Sequence, residues 1–178
     1  MSEDRPPVPT PYVLDVSVVV AVARGDTEIM TFIQRLDGTG QPMVIPALAI
    51  TAASLDVRSE EADELLEGLE LLGNAEIAPL RDAEQAAALA AVIARTELDP
   101  WDAHVATVAD AAVCPVLTLN AAKWREHAAD LDEPLHIIEI TEPGRDAGRP
   151  WAKTVGVRRL SAAARKTVLW ISCSAVLL

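Results

Sequence analysis

Residues 12–20 read YVLDVSVVV. Three apolar residues, one aspartate and a second apolar run follow one another with no turn residue between them. The first run predicts a buried strand ending about Asp15, since β-branched and aromatic residues suit a pleated, covered surface. A lone ionised carboxylate in such a context is costly unless it is paired, protonated or bound to a metal. Asp15 has a second reading, as the cap of the helix that follows, because aspartate accepts hydrogen bonds from first-turn N–H groups.

Outward from this stretch, short apolar runs alternate with longer helical periods. Asp26 or Thr27 caps a helix in which Ile29, Met30, Phe32, Ile33 and Leu36 share one face, stopped at the Gly38–Gly40 turn. PMVIP (42–46) is a second strand, and Ala47 to Val57 is helix-compatible. Ser59 caps SEEADELLEGLELLG, which Gly73 closes. AEIAPL (75–80) is a third strand; Asp82 with Gln85 opens an alanine-rich helix to about Arg95, and a further helix covers Pro100 to Ala112. VCPVLTL supplies a fourth strand, AAKWREHAAD a short helix and LHIIEI a fifth strand. Strands separated by helices imply parallel pairing, because a crossover needs a dozen or more residues. The expected fold is α/β, a three-layer α/β/α sandwich around a parallel five-stranded sheet. It spans residues 12–142, between a loose lead-in (1–11) and a tail (143–178).

The chain has 178 residues, 51% of them hydrophobic, with 15 Lys+Arg against 27 Asp+Glu and a net charge of −12. Enough aliphatic material is present for a core, which excludes wholesale disorder. The negative charge excludes tight, unspecific nucleic-acid binding by the body, since that affinity comes from cations neutralising phosphates. The charge is uneven: residues 143–178 hold seven bases and one acid, so the tail is +6 and the body −18. Cys114 and Cys173 suggest neither a disulfide framework nor a zinc site, consistent with a reducing cytoplasm. No segment approaches the roughly 20 apolar residues of a membrane span, so a membrane is not an expected partner.

In parallel sheets, ligands sit beyond the carboxyl ends of the strands, which selects the residues to weigh. Asp99 and Asp102 lie one turn apart at a helix start; Asp99 reads as the cap and Asp102 as the site residue, with the reverse assignment open. Thr118 and Asn120 end the fourth strand, and Asn120 also reads as a turn or cap residue. Acidic and amide oxygens converging at one sheet edge, with no Lys or His nearby in sequence to balance them, most economically bind a hard divalent cation. Mg²⁺ is held by one or two carboxylates and keeps waters that can be turned on a phosphodiester.

With these residues in place, the sequence resembles the PIN-domain family, particularly VapC-type toxin ribonucleases. The matching pieces are YVLDVSVVV, IPALAITAASLDV, LDPWDAHVATVA and VLTLNAAKW, within residues 12–140. The resemblance implies a metal-dependent endoribonuclease of toxin–antitoxin type, with Mg²⁺ or Mn²⁺ in an acidic pocket. It implies Asp15 and Asp102 as metal-site carboxylates, Ser17 as a supporting hydroxyl, Thr118 as the strand-end threonine, and a cognate antitoxin and a homodimer as partners. Two positions depart from the family pattern. Its usual helix glutamate falls at Ala52 or a close neighbour, and Asn120 stands where aspartate is common. Asp56, one turn beyond Ala52, either reaches toward the pocket or simply ends its helix beside Arg58. A set of Asp15, Asp102 and Asn120 should bind metal weakly, giving a slow or conditionally active nuclease, or an inactive descendant.

His104 points away from Asp102 on a helix and reads as a packed histidine; His127 and His136 suggest no partners. The acidic run Glu60–Glu70 reads as a solvated face, or as a docking surface for a basic partner. Nothing in the resemblance covers the tail, which reads as an appendage, a basic arm or a reading-frame artefact. Two other functions compete: a catalytically silent PIN scaffold acting through protein contacts, and a phosphoacceptor receiver with Thr118 and Lys123. The receiver lacks the acidic pair it would need before Asp15. RNA would be recruited by metal, by local bases such as Lys123 and Arg125, or by the tail.

Overall fold

The computed structural model describes residues 9–127, 131 and 134–141. The sequence expectations for the tail lie outside these residues. Five strands form one sheet: β1 (Tyr12–Leu14), β2 (Met43–Pro46), β3 (Ala75–Ala78), β4 (Val116–Thr118) and β5 (Ile137–Glu139). Their order is β3-β2-β1-β4-β5 and every pairing is parallel. Helices α1 (Val16–Ala23), α2 (Thr27–Gly38), α3 (Ala47–Val57), α4 (Glu60–Gly68), α5 (Ala83–Thr96), α6 (Pro100–Ala112) and α7 (Ala121–His127) alternate with them. The expected α/β sandwich is the observed one.

The central strand β1 registers Tyr12 with Met43 on one side and Val13 with Val116 on the other. Chain connection moves outward from β1 in both directions, so the carboxyl ends of β1 and β4 flank the switch point where such sheets open a crevice. Val13, Leu14, Ile45 and Val116 are fully buried, and the sheet core continues into Val18, Val19, Ala49 and Val105.

Helix α1 forms from VSVVVAVA, a sequence rich in β-branched residues that favour strands. Five of its eight residues are buried, and it packs against α3 and α4; tertiary burial outweighs local preference. Caps follow the expected residues elsewhere. Asp26 accepts from Glu28 and Ile29 N–H, Ser59 from Ala62 N–H, and Asp82 from Gln85 N–H. One boundary moves: the helix expected to run to Gly73 ends at Gly68 and tightens into a 3₁₀ turn, Leu69–Leu71. That turn buries Leu69 and leaves Leu71 exposed, so the leucine repeat overran the face that the core could cover. Among the described residues no helix is long and apolar enough to cross a membrane.

His104 is buried in α6, and its Nδ1 accepts the Leu48 N–H at 3.4 Å. Burial holds its pKa below the ordinary value of 6.5. Because the folded value is the lower one, the unfolded chain binds the proton more readily. This contribution to stability is therefore present above about 6.5 and lost as pH falls below it. Thermal unfolding at pH 7.5 and pH 5 should show a smaller acid-induced drop in His104→Gln than in the wild type. Equal drops would assign the acid sensitivity elsewhere.

Candidate active site

Asp15 follows β1 directly and is completely buried. Its backbone carbonyl accepts from Val18 and Val19 N–H to start α1, while its side chain makes no capping bond. Of the two sequence readings, capping is thus done by the main chain and the carboxylate is left for the pocket. Oδ2 accepts from Ser17 Oγ at 2.7 Å and from Thr118 Oγ1 at 2.5 Å. Ser17 Oγ lies 3.3 Å from Thr118 Oγ1 and accepts the Leu119 N–H at 3.0 Å. These hydroxyls tie the end of β1 to the end of β4 and fix the orientation of Asp15.

The α6 start resolves the other ambiguity. Asp99 Oδ1 accepts the N–H groups of Trp101 and Asp102 at 3.0 and 2.9 Å, so Asp99 is the cap. Asp102 is 6% exposed and its Oδ1 meets the Lys123 ammonium. Burial raises its carboxyl pKa, and the Lys123 ammonium opposes that rise.

Lys123 corrects the expectation that nothing basic balances these acids. Its Nζ lies 2.6 Å from Asp102 Oδ1 and 3.3 Å from Asp15 Oδ1, and 5.1 Å from the centroid of the Trp124 ring. Burial acts to lower its pKa, but the charges of Asp15 and Asp102 outweigh this and the net shift is upward. Lys123 is 108 residues from Asp15 and 21 from Asp102; the parallel pairing of β1 with β4 and the packing of α6 on the sheet make the three neighbours. The available signal was position, three residues beyond Asn120 in the turn after a strand that ends at the same edge.

Asn120 does not join them. It is exposed, and its Oδ1 accepts the Lys123 N–H at 3.3 Å, a capping contact at the start of α7. Asp56 sits elsewhere, 2.6 Å from Arg24 in an exposed ion pair. Breaking that pair by Asp56→Asn should change stability by no more than about 0.5 kcal/mol. It should also leave any pocket-dependent activity unchanged in a rate assay. Glu139, which the sequence did not single out, accepts the Ala121 N–H through Oε1 at 3.2 Å and holds α7 to β5. His127, for which no partner was foreseen, bonds through Nδ1 to the Thr96 carbonyl at 3.0 Å.

The PIN domain family model matches residues 12–146. The chain belongs to the PIN domain family. A search of curated proteins finds no significant match. Among solved structures, the chain is similar to VapBC2 from Rickettsia felis bound to a DNA fragment from their promoter. That match has 15% identity and a TM-score of 0.53, and covers 74% of this chain and 99% of the other. DNA-bound VapBC from Salmonella typhimurium is alike at 16% identity and TM-score 0.53, covering 73% of this chain and 98% of the other. At such identities the likeness concerns the fold.

PIN domains generally are nucleases that use divalent metals. In this PIN pocket the donor chemistry suits a hard cation: Asp15 and Asp102 present carboxylate oxygens, and Mg²⁺ is commonly held by one or two such groups plus water. The set is minimal. Among the described residues no three His, Cys, Asp or Glu side chains gather as a metal cage, Ala52 brings no oxygen, and Asn120 is engaged in capping.

Proposed function

We propose that this PIN domain hydrolyses RNA phosphodiesters at the crevice beyond β1 and β4. The observation that carries the reading is the meeting of two buried carboxylates, Asp15 and Asp102, from distant segments at the switch point of the sheet. Burying acidic groups together opposes folding, which is why such an arrangement marks a working site.

Asp15 and Asp102 would hold Mg²⁺ or Mn²⁺. The bound ion would supply an acidified water as nucleophile and offset charge on the phosphate. Ser17 and Thr118 keep Asp15 from rotating by occupying Oδ2, which leaves Oδ1 toward the pocket. Asp99 fixes the first turn of α6 and so the place of Asp102. Arg125, exposed on α7, is a base available to an RNA phosphate. The same reading includes a cognate antitoxin and a second copy of the chain as partners, and the cytoplasm as compartment. That two structural neighbours are VapBC complexes supports the antitoxin.

The Lys123 ammonium between the carboxylates favours a second reading, a catalytically silent PIN scaffold. RNA cleavage assayed with Mg²⁺, with Mn²⁺ and with chelator separates the two. The nuclease reading expects metal-dependent cleavage by the wild type that Asp102→Asn loses. Equal cleavage by both would remove Asp102 from the site, and no cleavage by the wild type at any metal concentration would leave the scaffold.

A further inference from the structure

We infer that Lys123 is a built-in cation of the pocket: its ammonium stands between Asp15 and Asp102 and competes with a divalent ion for the same oxygens. The inference rests on the reading of this acid pair as a cation pocket.

Three observations lead to it. First, Nζ contacts an oxygen of each acid, 2.6 Å from Asp102 and 3.3 Å from Asp15. A metal bridging the pair would need those oxygens. Second, Lys123 is held from below. Trp124 is fully buried and the ammonium lies 5.1 Å from its ring, close enough for a cation–π attraction. The Lys123 N–H also bonds Asn120. The backbone of Lys123 is thus fixed at the start of α7. Third, its side chain keeps 24% exposure while Asp15 has none and Asp102 has 8%. Of the three side chains Lys123 is the most exposed, and it is the one on a long flexible stem that can turn outward.

The charges give the consequence. Two carboxylates and one ammonium leave the pocket at −1; without the ammonium it is −2. A divalent ion entering beside Lys123 meets a like charge at contact distance, which weakens its binding. With Lys123 in place the pocket is closed to metal, and entry requires the side chain to swing outward. An RNA phosphate is a group to which the displaced ammonium can turn, which would couple metal entry to substrate.

The test compares wild type, Lys123→Met and Lys123→Gln, which remove the charge but keep a side-chain stem. Mn²⁺ affinity is measured by calorimetry and thermal unfolding with and without Mn²⁺. Both variants should bind Mn²⁺ at least about tenfold more tightly than the wild type. In chelator they should melt roughly 5 °C or more below it, because two buried carboxylates lose their counter-charge. Mn²⁺ should restore most of that loss. A variant that folds only with Mn²⁺ supports the inference equally. Equal, measurable affinity in all three chains overturns it while the cation pocket stands. No Mn²⁺ binding by any of them overturns the pocket reading as well.

Discussion

Asp15→Asn removes a proposed metal ligand and is expected to lower metal-dependent RNA cleavage by more than about 100-fold, beyond the roughly 10–100-fold that loss of a group supporting a ligand costs. Asp15 is the point at which every strand of the site's bonding meets. Ser17 and Thr118 donate to one oxygen and Lys123 to the other. An asparagine of the same shape can present one carbonyl oxygen only. If that oxygen faces the hydroxyls, its NH₂ meets the ammonium donor to donor; if it faces Lys123, the two hydroxyls lose their acceptor. Either way a buried donor goes without a partner, which costs about 1–3 kcal/mol. The substitution should therefore lower the melting temperature while leaving the circular dichroism spectrum that of a folded chain. Initial rates in Mn²⁺, compared at equal folded fraction, give the answer. A variant within threefold of the wild type would show that cleavage occurs elsewhere.

The largest effect on stability is expected at Trp124. It is the largest fully buried side chain among the described residues, yet it belongs to a helix of seven residues. A helix that short does not persist on its own; α7 stays in place because Trp124 anchors it and because Ala121 bonds to Glu139 on β5. Trp124→Ala opens a cavity and should cost about 3–5 kcal/mol, lowering the melting temperature by ~10 °C or more. Trp124→Phe, which keeps an aromatic body, should recover most of that loss. The alanine variant also removes the ring near Lys123, so its Mn²⁺ affinity should rise toward that of Lys123→Met. Denaturation followed by circular dichroism tests the first expectation. A loss under 1 kcal/mol would mean that α7 is not held by this side chain.

Most of the framework was legible because it depends on local pattern. YVL, MVIP and VLT are strands where apolar runs meet turn residues, and Asp26, Ser59, Asp82 and Asp99 cap helices as their chemistry prescribes. Helix α1 was less legible: VSVVVAVA has the composition of a strand, and only its burial in the packed layers makes it helical. The 3₁₀ turn at Leu69–Leu71 escaped for the converse reason, since the leucine spacing continues past the point where the core can receive it.

For the site, the chain's own chemistry determined that Asp15 and Asp102 are expensive carboxylates at a strand end and a helix start, and that a hydroxyl-bearing residue ends the fourth strand. Those are properties of residue type and neighbours, and a sequence displays them. Tertiary structure alone decided their company. Asn120 turned to cap α7, Asp56 went to Arg24 on the surface, and Lys123 came in between the two acids. The physical reason is range. Capping and burial preferences act over one helical turn, whereas the charge balance of a pocket is set by side chains 21 and 108 residues apart in the chain. The pairing of β1 with β4 and the packing of α6 on the sheet bring them within hydrogen-bonding distance.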